Sequence, residues 1–151
     1  MAVKKYSLKT DGNRFIAPNF QIKEFASRDG SDEILIDFDL VIVLQAIREH
    51  FGRPVNLTSG YRSPAHDKAV GGTGAGYHTK GMAADITVNG IDPLVIGLYT
   101  AELLGTAGGI EIGDGYLHID VRSDRWRAYT KSGGSAYTTV TDFGYKLRRD
   151  L

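Results

Sequence analysis

One apolar stripe at helical spacing dominates the first half of the chain: Leu40, Ile42, Val43, Leu44, Ala46, Ile47 and Phe51, all between Asp37 and Phe51. A stripe that wide must be buried against another element, so it predicts a main core helix over 37–51. Asp37 or Asp39 stands where a helix cap belongs, and Gly52 and Pro54 stop the helix. Beyond Pro54 glycine cuts most of the chain into short runs. Val55 to Ser59 reads as a buried strand, Pro64 opens a short helix reaching Val70, and Ala83 to Val88 reads as a further strand. Leu94 to Leu104 reads as a second helix capped by Asp92 with Pro93 at its first position, and Gly97 weakens it. Gly109 to Ile112 and Tyr116 to Val121, separated by Gly113, Asp114 and Gly115, have the form of a hairpin.

Short strands interleaved irregularly with helices, and ending in a hairpin, predict an α+β fold with a small antiparallel sheet and helices packed on it. At 151 residues the chain fits one domain. Residues 1–19 read as an irregular N-terminal arm, and 20–151 as a single domain with a C-terminal tail. Phe20, Ile22 and Phe25 would anchor a short extended segment at its start. The tail after Arg122 carries the sole tryptophan, Trp126, and shows no clear periodicity.

Eighteen basic residues balance eighteen acidic ones, so no broad field draws the protein to a nucleic-acid backbone or an anionic membrane. The chain has no cysteine, and any metal site must be built from imidazole and carboxylate. MAVKKYSLKTDG lacks the apolar core of a signal peptide, and no later run is long enough to cross a bilayer. These features predict a protein made in the cytoplasm, without a nucleic-acid or membrane partner; a monomer is expected.

Four histidines bound the search for chemistry. His50 falls at a helix end, where it would interact with the dipole, and His66 falls in the short helix after Pro64, where a solvated side chain is expected. His78 is followed by Asp85 across Gly81, Ala83 and Ala84, a spacing that four histidines and 13 aspartates also produce readily by chance. His118 and Asp120 stand two apart on a strand and face the same side, with Tyr116, so Asp120 could orient His118. Two histidines and a carboxylate without thiolate suit a catalytic zinc, which keeps one position open for water.

The ordered blocks Ser59-Gly60-Tyr61-Arg62-Ser63-Pro64, Ala69-Val70-Gly71-Gly72, His78-x-x-Gly81-x-Ala83-Ala84-Asp85-Ile86 and His118-Ile119-Asp120-Val121-Arg122 resemble the zinc D-Ala-D-Ala carboxypeptidase family of metallopeptidases. That family lies within the wider hedgehog and D-Ala-D-Ala peptidase group, and the resemblance runs over about residues 20 to 125. It implies that His78, Asp85 and His118 bind Zn2+ and that Arg62 binds substrate near the scissile bond. Better-known members carry an acidic residue three positions before the last histidine ligand, where this chain has Gly115. Asp120 is then the first candidate for the general base, and Asp114, in the hairpin turn, the alternative. Where some relatives have a substrate-contacting serine this chain has Gly76, and Tyr77 could take over that contact.

The resemblance implies zinc-dependent hydrolysis of an amide in a peptidoglycan stem peptide or cross-bridge, of carboxypeptidase or endopeptidase type. A small lytic domain of this kind resembles an endolysin, acting at the cell wall in phage or prophage release, or a virion component. The alternative is a zinc-containing peptidoglycan-binding module without turnover, which the glycine at position 115 favours.

Overall fold

The computed structural model describes residues 3–130. The chain opens with β1 (Val3–Ser7), a helical turn α1 (Leu8–Asp11), β2 (Phe15–Ala17) and β3 (Phe20–Gln21), then a 3₁₀ turn over Ile22–Phe25. β4 (Glu33–Asp37) leads directly into α2 (Phe38–Phe51), followed by β5 (Val55–Ser59) and the short helix α3 (Pro64–Ala69). A second 3₁₀ turn over Tyr77–Lys80 precedes β6 (Ala83–Val88), α4 (Pro93–Leu104), β7 (Gly108–Ile112), β8 (Leu117–Asp120) and β9 (Arg125–Tyr129). The fold is α+β, as the interleaved pattern predicts.

Local chemistry sets the helix ends. The Asp37 carboxylate accepts the Asp39 N–H at 2.8 Å, which makes Asp37 the cap of α2, and Gly52 closes that helix in the left-handed conformation. Asp92 caps α4 by accepting the Leu94 N–H at 2.9 Å, with Pro93 behind it. α4 runs unbroken through Gly97, where a β-carbon would come within 2.8 Å of the Ile112 side chain. Close packing of helix on sheet thus outweighs the poor helix propensity of glycine.

The main sheet has the strand order β5-β6-β8-β7-β9. Its first four strands pair antiparallel, and β7 and β8 form the expected hairpin. β9 pairs parallel to β7, so the segment after Arg122, expected to lack regular structure, supplies an edge strand. Its pattern is misleading because the inward residue is a charged one. Arg127 is buried and donates to the carbonyls of Gly108 at 2.6 Å and Gly105 at 3.1 Å, fastening the strand to the end of α4. The rest of the tail lies outside the described residues.

The segment read as an irregular arm is also regular. β1 pairs antiparallel with β4 from Val3 opposite Asp37 to Ser7 opposite Glu33. Its lysines hide the strand from a hydrophobic pattern, since the pairing is carried by the backbone and β1 is an edge. Phe20, Ile22 and Phe25 are fully buried anchors, though the run is extended only over Phe20–Gln21 before turning 3₁₀.

Strand alternation divides the main sheet into two chemistries. Ala84, Ile86 and Val88, with Ile110, Ile112, Leu117 and Ile119, join Leu40, Leu44 and Ile47 of α2 and Leu94 and Ile96 of α4 in the core. Each fully buried isoleucine or leucine contributes roughly 2 kcal/mol, which holds this face rigid. The opposite face carries Asp85, Glu111, His118 and Asp120. Across the strands Asp85 stands opposite His118 and His118 opposite Glu111, while Ala83, Asp120, Gly109 and Trp126 form the next row.

Candidate metal centre

His78 lies in the 3₁₀ turn after the glycine-rich loop, and the turn closes with Gly81 in the left-handed conformation. Backbone bonds tie it to its surroundings: Arg62 N–H donates to the His78 carbonyl at 3.1 Å and Asp37 N–H to the Gly81 carbonyl at 2.9 Å. The buried imidazole presents Nδ1 to the Gly60 carbonyl at 2.8 Å. A carbonyl can only accept, so Nδ1 carries a proton and Nε2 is the ring nitrogen left for a metal. That nitrogen faces Asp85, with Nε2 3.4 Å from Oδ1.

Asp85 enters from β6 and His118 from the facing position of β8, with His118 Nδ1 2.9 Å from Asp85 Oδ1. One donor atom each from His78, Asp85 and His118 lie within 4.8 Å of one another. Bonds of about 2.0–2.1 Å in tetrahedral array place ligand atoms about 3.3 Å apart, close to the separations seen. Two imidazoles and a carboxylate, each braced by a further partner, therefore fit a divalent metal of the zinc type.

Asp120 braces His118 from behind. Its Oδ2 lies 2.9 Å from His118 Nε2, the ring nitrogen opposite the one turned to Asp85. Arg122 forks onto the same carboxylate, Nε to Oδ1 at 2.7 Å and Nη2 to Oδ2 at 2.7 Å. Gly109 makes this possible, because a β-carbon there would overlap the Asp120 carboxylate. Arg122 is in turn stacked between the rings of Tyr77, 4.3 Å away, and Trp126, 4.7 Å away.

This arrangement bears on two expectations. Asp120, the first candidate for the base, is fully buried, the His118 ring stands between it and the ligand cluster, and both its oxygens are engaged. Burial pushes its carboxyl up, but Arg122 and His118 outweigh that and hold it well below the usual range, which makes it a poor proton acceptor. Alternation puts Asp120 on the correct face but cannot tell which side of the ring it takes. Tyr77, expected at the substrate, lays its ring against the Arg122 guanidinium.

Arg62 is fixed beside the cluster. Nε donates to Ser59 Oγ at 2.9 Å, Nη1 to Asp67 Oδ1 at 3.0 Å and Nη2 to Asp85 Oδ2 at 3.3 Å. Asp67 is itself buried and accepts the Gly74 N–H at 2.9 Å, so it ties the glycine-rich loop to the arginine. Sequence reasoning misses Ser59 and Asp67 as partners of Arg62, although a serine ending a strand and an acid one turn into α3 bracket the arginine closely. Asp114 lies exposed in the hairpin turn. His50 stacks on Tyr99 at 3.9 Å and His66 lies on α3, and neither joins the cluster.

The charges of the cluster make stability depend on pH when no metal is bound. Burial disfavours the His118 cation, but Asp120 and Asp85 overcome this and raise its pKa from 6.5 to about 9. The folded form thus holds a proton that the unfolded form releases between these values. The resulting stabilisation, on the order of 3 kcal/mol, is complete below pH 6.5 and is lost as pH rises through about 9. Denaturant melts of chelator-treated protein should show stability falling from pH 6.5 to 9.5, with a flat profile in His118→Gln. A wild-type profile rising over that window contradicts the assignment.

A family model described as Peptidase M15 matches residues 13–120. The matched span contains His78, Asp85, His118 and Asp120 and leaves β1 and β9 outside. No curated protein matches the chain.

Proposed function

The chain belongs to the peptidase M15 family, metallopeptidases similar to the zinc D-Ala-D-Ala carboxypeptidases, and from this we propose that it hydrolyses an amide bond of peptidoglycan peptides, in the stem or the cross-bridge. The observation that carries the proposal is the convergence of His78, Asp85 and His118 beside the fixed guanidinium of Arg62. His78 Nε2, Asp85 Oδ1 and His118 Nδ1 would hold the zinc. A zinc ion there supplies Lewis acidity toward a peptide carbonyl and makes water a nucleophile near neutral pH.

The chain's own groups set the rest. Gly60 and Asp120 hold the two imidazoles in the orientations their ligand atoms need, as supporting partners of metal ligands do. Arg62 spends three of its donors on Ser59, Asp67 and Asp85 and offers the others to a carboxylate or carbonyl of the substrate. Lysine keeps the charge without the fork, so Arg62→Lys should raise KM roughly tenfold, the worth of one charge-assisted hydrogen bond. Kinetics at matched zinc content checks this, and an unchanged KM limits Arg62 to holding Asp85.

Among the described residues no helix is long and apolar enough to cross a membrane. We assign the protein to the cell wall, as a lysis factor of phage or prophage or as a virion component. Incubation of zinc-loaded protein with a purified muropeptide digest, read by mass spectrometry, tests the reading and distinguishes carboxypeptidase from endopeptidase products. Gly115, which offers no acid, favours a second reading as a zinc-stabilised wall-binding module. Retention on peptidoglycan without release of new amino groups would select it.

A further inference from the structure

We propose that Glu111, held by Thr130, is the proton acceptor of this site. The inference rests on the peptidase reading above and names the carboxylate that would make it catalytically complete. The sheet face bearing the cluster presents Asp85, Asp120 and Glu111 from three neighbouring strands, β6, β8 and β7. Asp85 is committed to the two histidines and Arg62, and Asp120 to His118 and Arg122. Glu111 is committed to neither imidazole nor guanidinium among the contacts described.

Its position is set by register. Asp85, His118 and Glu111 form one continuous row across the sheet, with Glu111 on the side of His118 opposite Asp85. Directly opposed residues of antiparallel strands hold their β-carbons about 4.5–5.5 Å apart, so Glu111 starts one strand away from a ligand with two methylenes of reach. Glu111 is half-buried, whereas Asp120 has no exposed surface, so Glu111 is open to water and substrate.

One hydrogen-bond donor holds it: Thr130 Oγ1 donates to Glu111 Oε2 at 2.9 Å.

In the step assigned to it, one O–H bond of the attacking water breaks and its proton passes to the Glu111 carboxylate. The water oxygen bonds to the scissile carbonyl carbon, and the carbonyl π pair moves onto its oxygen. When that pair returns, the C–N bond breaks and Glu111 delivers its proton to the departing nitrogen. An acid and an amine leave, the carboxylate is restored, and no oxidant or reductant enters.

Wild type, Glu111→Gln and Glu111→Asp, each zinc-loaded, are to be compared on a purified muropeptide digest and on an acetylated Lys-D-Ala-D-Ala peptide. Zinc affinity is measured by chelator competition and the ligand field by the absorption of cobalt-substituted protein. Glu111→Gln should lower kcat about 10²- to 10⁴-fold, the usual worth of a general base, with KM and zinc affinity within about threefold and the cobalt spectrum unchanged. Glu111→Asp should fall in between, and decides the matter on the same measures if the amide variant does not fold. A Glu111→Gln enzyme that keeps more than a tenth of kcat overturns the assignment, as does a parallel loss of zinc affinity, or inactivity of Asp114→Asn beside an active Glu111→Gln. Active wild type with active Glu111→Gln sinks this assignment alone, whereas zinc-loaded wild type that cleaves neither substrate sinks the peptidase reading with it.

Discussion

Replacing His118 with alanine is expected to remove stable metal binding and hydrolysis together. The imidazole offers one of the three donor atoms proposed to hold zinc and also separates the carboxylates of Asp85 and Asp120. Its loss leaves two ligands and brings two anions toward one space, which the metal alone would have to offset. Zinc affinity should fall by more than the roughly 100-fold seen when a mere supporting partner is lost. Turnover should drop on the order of 10⁴-fold or more, because Lewis acidity and water activation leave with the ion. The fold should persist, since His118 points away from the core formed by Leu117 and Ile119. Metal analysis after dialysis and circular dichroism check the two halves of this expectation. A dialysed His118→Ala protein that retains stoichiometric zinc and cleaves peptide refutes the ligand set.

Asp120→Asn separates positioning from proton transfer. The amide oxygen can still accept from His118, but the amide nitrogen then confronts the Arg122 guanidinium, and Asp120 itself has no exposed surface to relieve the conflict. Breaking a buried ion pair typically costs about 3–5 kcal/mol, so the melting temperature should drop by roughly 6–20 °C. Zinc affinity should fall about 10- to 100-fold as His118 loses its anchor. Turnover per bound zinc, measured at saturating zinc, should stay within about tenfold of wild type. Were Asp120 the proton acceptor, the pattern would reverse, with affinity kept and turnover lost by about 10²- to 10⁴-fold.

Local signals carry most of the fold. The apolar stripe of α2, the Asp37 and Asp92 caps, and the Gly113-Asp114-Gly115 turn each act within a few residues of where they are written. β1 and β9 are different, because each is stabilised by a partner distant in the chain and shows no alternation of its own. A lysine-bearing edge and a strand whose buried residue is Arg127 look like loop until the partner is known.

The site divides in the same way. His78, Asp85 and His118 stand out by residue type and come together as a group able to hold a metal. The function of Asp120 depends on which ring nitrogen of His118 it meets, and no spacing encodes that. Glu111 is within reach of the sequence, since a hairpin turning at Gly113–Gly115 pairs Ile112 with Leu117 and therefore Glu111 with His118. Its signal is register across the hairpin, which distance along the chain from the histidine does not capture. Trp126 shows the opposite case, a residue conspicuous by rarity whose contact with Arg122 exists only once β9 is placed beside β7.

The most direct test of a zinc peptidase acting on the wall is the mass of the products from a defined muropeptide digest. Protein stripped by chelation should leave the digest unchanged, and addition of one equivalent of zinc should produce fragment pairs whose masses sum to the parent plus one water, with one new amino group and one new carboxyl per cut. Protein that binds one equivalent of zinc tightly and still leaves every muropeptide mass unchanged would contradict the account.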